Sequence, residues 1–248
     1  MRIHSVHKLI HQRLQQATKP FNARGAKVKR CRYCQVAQQY CICPYQPQTE
    51  SNLAVILLMS DAEILKPSNT GRLIADVVKE TYSFQWNRTE PSDELLALLA
   101  DRQYFPVVIF PEEYVEIKQR VISDVAQQSK GKKLLLIFID ASWREARKIF
   151  RKSPYLDSLP VMSISPSSLS EYQMRSSDNE NHLSTAEVAH LVLEQAGEQV
   201  AAVQLNDWFK VFRESYLLSK TRLKSDLSRP ELQRYVSRYS KKECDQQT

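Results

Sequence analysis

The sequence predicts an α/β fold: a mostly parallel sheet with helices on both faces, preceded by a small cysteine-rich knuckle. Three observations carry the prediction. The segments Leu53–Met59 and Leu134–Ile139 are continuously apolar, as strands covered on both faces are. Helix-length segments with capping signals alternate with the strands. Four cysteines fall within Cys31-x-x-Cys34-x₆-Cys41-x-Cys43, ahead of the first strand.

The elements follow in order. Leu53–Met59 is the first strand, followed by a polar loop and a helix over Gly71–Thr81. Tyr82–Trp86 is a short strand. Ser92 caps a helix through Ala100. Pro106–Phe110 is a strand that ends at Pro111-Glu112-Glu113, and a helix is expected over Val115–Gln128. Lys133–Asp140 is the next strand. Ser142 and Glu145 fit a capping box, so a helix should run from Trp143 to Arg151. Val161–Ser165 is a further strand, followed by a long polar loop. Ser184-x-x-Glu187 is a second capping box, and the chain from Gln199 is mostly helical. Three regions result: 1–50, a basic arm with the cysteine knuckle; 51–198, the α/β domain; and 199–248, a helical region with a polar tail.

The charge is uneven. Net charge is +7, yet residues 1–30 carry eight Lys and Arg and no Asp or Glu, so the other 218 residues sum to −1. Such an arm suits a polyanion, most simply nucleic acid, although a basic tail can also serve only solubility. The apolar runs are too short to span a bilayer, and no secretory leader is legible, so the cytoplasm is expected. In a reducing compartment, close cysteine pairs suggest metal before disulfide. Cys31, Cys34, Cys41 and Cys43 are therefore expected to hold Zn²⁺ in a closed structural site, with redox or iron–sulfur chemistry as alternatives. Lys27, Lys29, Arg30 and Arg32 flank the first ligand and are the candidate RNA contacts. Only four glycines occur, and none forms a phosphate-binding loop, which argues against nucleotide hydrolysis and dinucleotide cofactors.

The carboxyl ends of parallel strands lie on one edge, where open α/β sheets bind ligands. Met59-Ser60-Asp61, Phe110-Pro111 and Asp140-Ala141-Ser142 all fall there. A long, glycine-free loop over 163–183 points to the same place.

These residues resemble the DTW-domain family. The resemblance rests on the cysteine cluster, Lys66-Pro67-Ser68-Asn69-Thr70-Gly71-Arg72, Asp140-x-Ser142-Trp143, Ser170-x-Tyr172-x-x-Arg175 and Leu183-Ser184-Thr185-x-Glu187. Ser142 stands where the family signature has Thr, and a hydroxyl is retained. The resemblance implies a SPOUT-like fold with a C-terminal knot. It also implies a tRNA-uridine aminocarboxypropyltransferase that uses S-adenosylmethionine as substrate and acts in the variable loop. In that setting Asp140 is the candidate general base or orienting group, with Ser142 and Trp143 beside it. Trp143 is placed to stack on the target base or to pack in the core. Asn69, Thr70, Phe110, Pro111, Ser165, Tyr172, Arg175, Ser184 and Thr185 are the candidate cofactor contacts, although capping alone accounts for several of them. An RNA methyltransferase and a non-catalytic, zinc-stabilised RNA-binding protein are the alternatives. Monomer and homodimer both remain open.

Overall fold

The computed structural model describes residues 1–18, 28–163, 183–220 and 226–239. Six strands form one sheet: β1 (Ala54–Met59), β2 (Thr81–Gln85), β3 (Tyr104–Ile109), β4 (Val121–Ile122), β5 (Lys133–Asp140) and β6 (Val161–Met162). Their order is β2-β1-β5-β3-β6-β4, and every pairing is parallel. β1 and β5 lie inside the sheet with both faces covered. That placement explains why their sequences show no polar alternation.

The described helices are α1 (Ser5–Gln15), α2 (Asp61–Ile64), α3 (Gly71–Val77), α4 (Asp93–Ala100), α5 (Val125–Ser129), α6 (Trp143–Arg151), α7 (Thr185–Gln195), α8 (Gln199–Leu217) and α9 (Pro230–Tyr239). Strand parity divides the core in two. Val55, Leu57, Leu136 and Phe138 face a layer built from α1, α3, α7, α8 and α9. Ile56, Leu58, Leu135 and Ile137 face α4 and α6, through Leu95, Ala146, Ile149 and Phe150. Among the described residues no helix is long and apolar enough to cross a membrane.

The structure departs from the sequence expectations in five places. The helix expected over Val115–Gln128 does not form. A 3₁₀ turn at Lys118–Arg120 leads into the edge strand β4, whose Val121 and Ile122 pair with Val161 and Met162. α5 starts only after Asp124, whose side chain caps Gln127 N at 2.9 Å. Pairing of a β-branched dipeptide outweighed helix propensity there. The helix from Gly71 stops at Val77, because Val78 is already extended and Thr81 opens β2. The strand expected over Val161–Ser165 is described only as Val161–Met162. The expected capping box at Ser142 is absent: Ser142 is the N-cap, but its hydroxyl donates to the Glu145 carboxylate at 2.9 Å instead of capping backbone. Lastly, the basic arm begins as a packed helix. In α1, Val6, Leu9 and Ile10 are buried at helical spacing. Arg2 donates to the carbonyls of Ala75 and Asp76, and Arg13 pairs with Asp61. Among the described residues of the arm, Arg2 is therefore committed to backbone carbonyls and Arg13 to a surface ion pair.

The second capping box forms as read. Ser184 Oγ accepts from Glu187 N at 3.4 Å, and the Glu187 carboxylate accepts from Ser184 N at 2.8 Å. The connection from β6 to α7, through which a C-terminal knot would be traced, lies outside the described residues.

Candidate active site and metal centre

β1 and β5 are neighbours, with Met59 in register with Asp140. From β1 the chain turns into α2 and α3 on one face of the sheet. From β5 it turns into α6 on the other face. Adjacent strands whose connections leave to opposite faces open a crevice at their carboxyl ends, the place where open α/β sheets bind ligands.

Asp140 closes β5 at the floor of that crevice. It is fully buried. Its Oδ2 accepts from Asn69 Nδ2 at 2.6 Å, and its Oδ1 accepts from the Thr185 hydroxyl at 2.7 Å. Asn69 precedes α3 and Thr185 opens α7, so one carboxylate ties β5 to both helices. Gly71, the first residue of α3, lies so close that a Cβ built there would be 2.4 Å from Asp140 Oδ2. The Thr70 hydroxyl accepts from Ala186 N at 3.4 Å, and Ser184 caps the same helix. Glu63 extends the network: it is buried, pairs with Lys66, and accepts from Asn69 Nδ2 at 3.4 Å. Arg72 is buried alongside, bonded to Pro67 O at 2.7 Å with its guanidinium 4.8 Å from the Phe212 ring.

The structure thus links Asn69, Asp140 and Thr185 through their side chains, with Thr70 and Ser184 bonded to the first turn of the same helix, α7. Sequence reasoning assigned no role to Gly71 or Glu63. The available signal was a scarce glycine at a helix start, where close approach of a neighbour demands the missing side chain.

On the other face of the sheet, Phe110 stacks on Phe150 at 4.2 Å and on Trp143 at 5.8 Å. Tyr114 meets the edge of Trp143 at 5.3 Å and is 36% exposed. Pro111 and Trp143 are half-buried, whereas Ser142 is exposed. The Glu112 amide donates to the Ser163 hydroxyl at 3.0 Å, holding the end of β3 beside the end of β6. The carboxyl edge therefore has an aromatic floor with a polar rim. Ser165, Tyr172 and Arg175 lie outside the described residues.

The cysteines converge. Cys31 and Cys43 sulfurs are 3.6 Å apart, Cys34 and Cys41 sulfurs are 3.8 Å apart, and all four lie within 4.8 Å of one another. A tetrahedron of 2.3 Å Zn–S bonds has edges of about 3.8 Å, so the cluster fits one zinc ion and is too open for disulfides. As free thiols they share charge unequally. The hydrogen bond from Cys43 pulls Cys34 down to about 5, with burial opposing. Burial pushes Cys41 up to about 11, and donation to Cys34 moves Cys43 upward. A divalent cation supplies the charge that lets all four ionise together. The knuckle is anchored by Cys34, Val36 and Ile42, which are buried in the core layer of α1 and α8.

The flanking cations differ in availability. Arg30 donates to Gln35 O at 3.1 Å and lies 5.1 Å over the Tyr216 ring. Arg32 is exposed, with Tyr33 as its partner. Lys29 is exposed, and Lys27 lies outside the described residues.

A second ligand-like group, His4, His7 and Asp76, is buried under α1. Asp76 already accepts from His4, Gln46 and Trp208, and those bonds hold its carboxyl below the usual range against its burial. This group braces the core.

The DTW domain family model matches residues 28–217, from just before the first cysteine to the end of α8. No solved structure matches the chain. The match takes in the cysteine cluster, the whole sheet and the Asp140 crevice. The chain belongs to the DTW-domain family of tRNA-modifying enzymes, and it carries four N-terminal cysteines arranged to hold a metal ion.

Proposed function

We propose that this protein transfers the 3-amino-3-carboxypropyl group of S-adenosylmethionine to N3 of a tRNA uridine in the variable loop. The observation that carries the reading is the Asp140-x-Ser142-Trp143 motif standing at the switch point of a parallel sheet, within a chain matched to the family over 28–217. The sulfonium supplies an already activated γ-carbon: the N3–Cγ bond forms, the Cγ–S bond breaks with its pair going to sulfur, methylthioadenosine leaves, and the N3 proton passes to water. The protein's task is selection and positioning, which alone can supply a large share of a rate enhancement.

Asp140 serves as a positioning residue in this reading. A general base must come within hydrogen-bond reach of its proton, and a fully buried carboxylate with both oxygens engaged does not present one. Through Asn69 and Thr185 it fixes the starts of α3 and α7, while Thr70 and Ser184 set the first turn of α7. Pro111, backed by the buried Phe110, offers the adenosine an apolar wall, and the exposed Ser142 hydroxyl, whose proton goes to Glu145, is an acceptor for its polar groups. Ser165, Tyr172 and Arg175 complete the cofactor contacts. Trp143 lines the path of the uridine. Zinc on the four cysteines is structural and takes no part in the transfer. Lys27, Lys29, Arg30 and Arg32 meet the RNA backbone from the knuckle side, and the setting is cytoplasmic.

The test is mass spectrometry of unmodified tRNA incubated with the protein and S-adenosylmethionine. An aminocarboxypropyl gain on uridine, with methylthioadenosine released, is expected. A methyl-sized gain with S-adenosylhomocysteine would replace this reading with a methyltransferase. No gain with tRNA still bound would replace it with a binding protein.

A further inference from the structure

Helix α6 leaves the crevice carrying a row of positive charge. Arg144, Arg147, Lys148 and Arg151 are all exposed, at spacings i, i+3, i+4 and i+7, and Lys152 follows. Those spacings place the four on one stripe. Ala146, Ile149 and Phe150 hold the opposite face in the core. Among the described residues, none of the five cations forms an ion pair. The helix's one acidic residue, Glu145, takes the Ser142 hydroxyl. At a 1.5 Å rise per residue the stripe is about 10 Å long, enough to face about three successive phosphates.

Aromatic rings flank the stripe. The Arg147 guanidinium lies 5.7 Å from the Tyr114 ring and 5.8 Å from the Trp143 ring. Lys148 Nζ lies 5.6 Å over Trp86, which is fixed by its own bond to Ser153 at 2.9 Å. Cations interleaved with rings suit single-stranded nucleic acid: phosphates meet the charges and bases meet the π-faces. A lipid surface would want an exposed apolar face, and here that face is buried in the core.

We propose that the exposed face of α6, flanked by Tyr114 and Trp86, is the surface along which a single-stranded segment of the substrate RNA lies. Its direction leads one nucleotide to the carboxyl edge beside Asp140 and Trp143. The proposal rests on tRNA being the substrate and adds the route by which it arrives. It differs from the knuckle contacts, which stem from another part of the chain.

The experiment measures tRNA affinity across a salt series for wild type and for R147Q/K148Q/R151Q. Glutamine keeps the helix propensity of the residues it replaces. The triple variant is expected to bind at least tenfold more weakly at low salt, with the slope of log K against log salt reduced by about 2, since each phosphate contact on a single strand contributes about 0.7. R102Q/K130Q/K132Q removes equal charge from the exposed amino edge of the sheet and should leave both quantities unchanged. Tyr114→Ala should weaken binding of a single-stranded oligonucleotide on the order of tenfold with little change in slope. Melting temperature and S-adenosylmethionine binding should match wild type in the two triple variants, whose substituted side chains are exposed.

Wild-type affinity and slope in the α6 triple variant would overturn the proposal. An equal loss in the amino-edge control would overturn it too. So would absence of RNA binding by the wild type, or a loss of binding confined to anionic vesicles. A stripe-dependent slope in a protein that makes no product would sink the transfer reaction and leave this surface standing. Normal product from a triple variant that binds normally would sink the surface alone.

Discussion

Gly71→Ala probes the crevice with the smallest possible change. A Cβ at residue 71 would stand 2.4 Å from Asp140 Oδ2 and 2.8 Å from its Cγ, distances that real Cβ atoms do not tolerate. The carboxylate has nowhere to go, because it is fully buried and tethered at 2.6 Å and 2.7 Å to Asn69 and Thr185. If it swings, it loses a charged hydrogen bond, about 1.5–3 kcal/mol. If α3 backs away instead, overpacking costs about 1–3 kcal/mol. Alanine returns about 1 kcal/mol of helix propensity. A net loss of up to about 2 kcal/mol remains, or up to about 8 °C in melting temperature for a chain of this size. Asp140→Ala removes the atoms that clash. In that background Gly71→Ala should be neutral or stabilising by up to ~1 kcal/mol, so a urea-denaturation double-mutant cycle should show a coupling of about 1.5–3 kcal/mol. Asp140→Asn should be milder than Asp140→Ala, because its carbonyl can face Asn69 while the Thr185 hydroxyl turns to accept. The Gly71→Ala clash should persist beside it. Additive effects of Gly71→Ala and Asp140→Ala would refute the whole account of this contact.

Three further outcomes are expected. The purified protein should carry one zinc per chain by elemental analysis, and Cys34→Ser should lose the ion and lower the melting temperature, since the knuckle packs into the main core. Burial, aided by nearby His4, lowers His7 to about 4, whereas in the unfolded chain it titrates near 6.5. The unfolded state therefore binds more protons between those values. The stability His7 contributes is complete above about pH 6.5 and drains as pH falls toward 4, by at most ~1.4 kcal/mol per pH unit. The difference between wild type and His7→Gln in urea midpoints across that window isolates the effect from acid release of metal. On the knuckle, Arg32→Gln should weaken tRNA binding and lower the salt slope by about 0.7–0.9 without changing the melt. Arg30→Gln should lower the melting temperature as well, because that guanidinium bonds Gln35 O and covers Tyr216.

Much of this was legible in the residues, and the reasons are physical. β1 and β5 announced themselves because strands covered on both faces need apolar side chains at every position. The start of α6 was read from Ser142 and Glu145 as a capping box that does not form; the helix stands there because its buried positions, Ala146, Ile149 and Phe150, repeat at helical spacing against a charged remainder. β4 and β6 were not readable as a pair: each has two residues, and a two-residue strand is defined by its neighbour more than by its own sequence. α1 was hidden by its charge, which drew attention from Val6, Leu9 and Ile10. The cysteine spacing showed which side chains could share an ion. Spacing could not show that Asp140 is inaccessible, because a carboxylate that ends an apolar strand reads the same whether it faces solvent or two helix starts.

Strand parity resolves that ambiguity and gives the family motif its physical sense. Asp140 follows Leu136 and Phe138 at intervals of two, so it points into the layer of α3 and α7. Three residues on, the chain has become a helix, and Trp143 falls with Phe110 and Phe150 in the opposite layer. Ser142 lies between them, exposed on the edge itself. The motif thus straddles the end of the sheet. Its acid binds two helix starts from below, its hydroxyl stands at the rim, and its indole joins the aromatic face where the cations of α6 begin. Substitutions at Asp140 and Trp143 should therefore fail differently. The first loosens α3 and α7 together and should depress stability and turnover in parallel. The second alters the face toward RNA and should raise the KM for tRNA while the urea midpoint stays closer to wild type. Identical profiles for Asp140→Asn and Trp143→Leu would mean that the motif acts as one unit, and that division by sheet face carries no functional meaning.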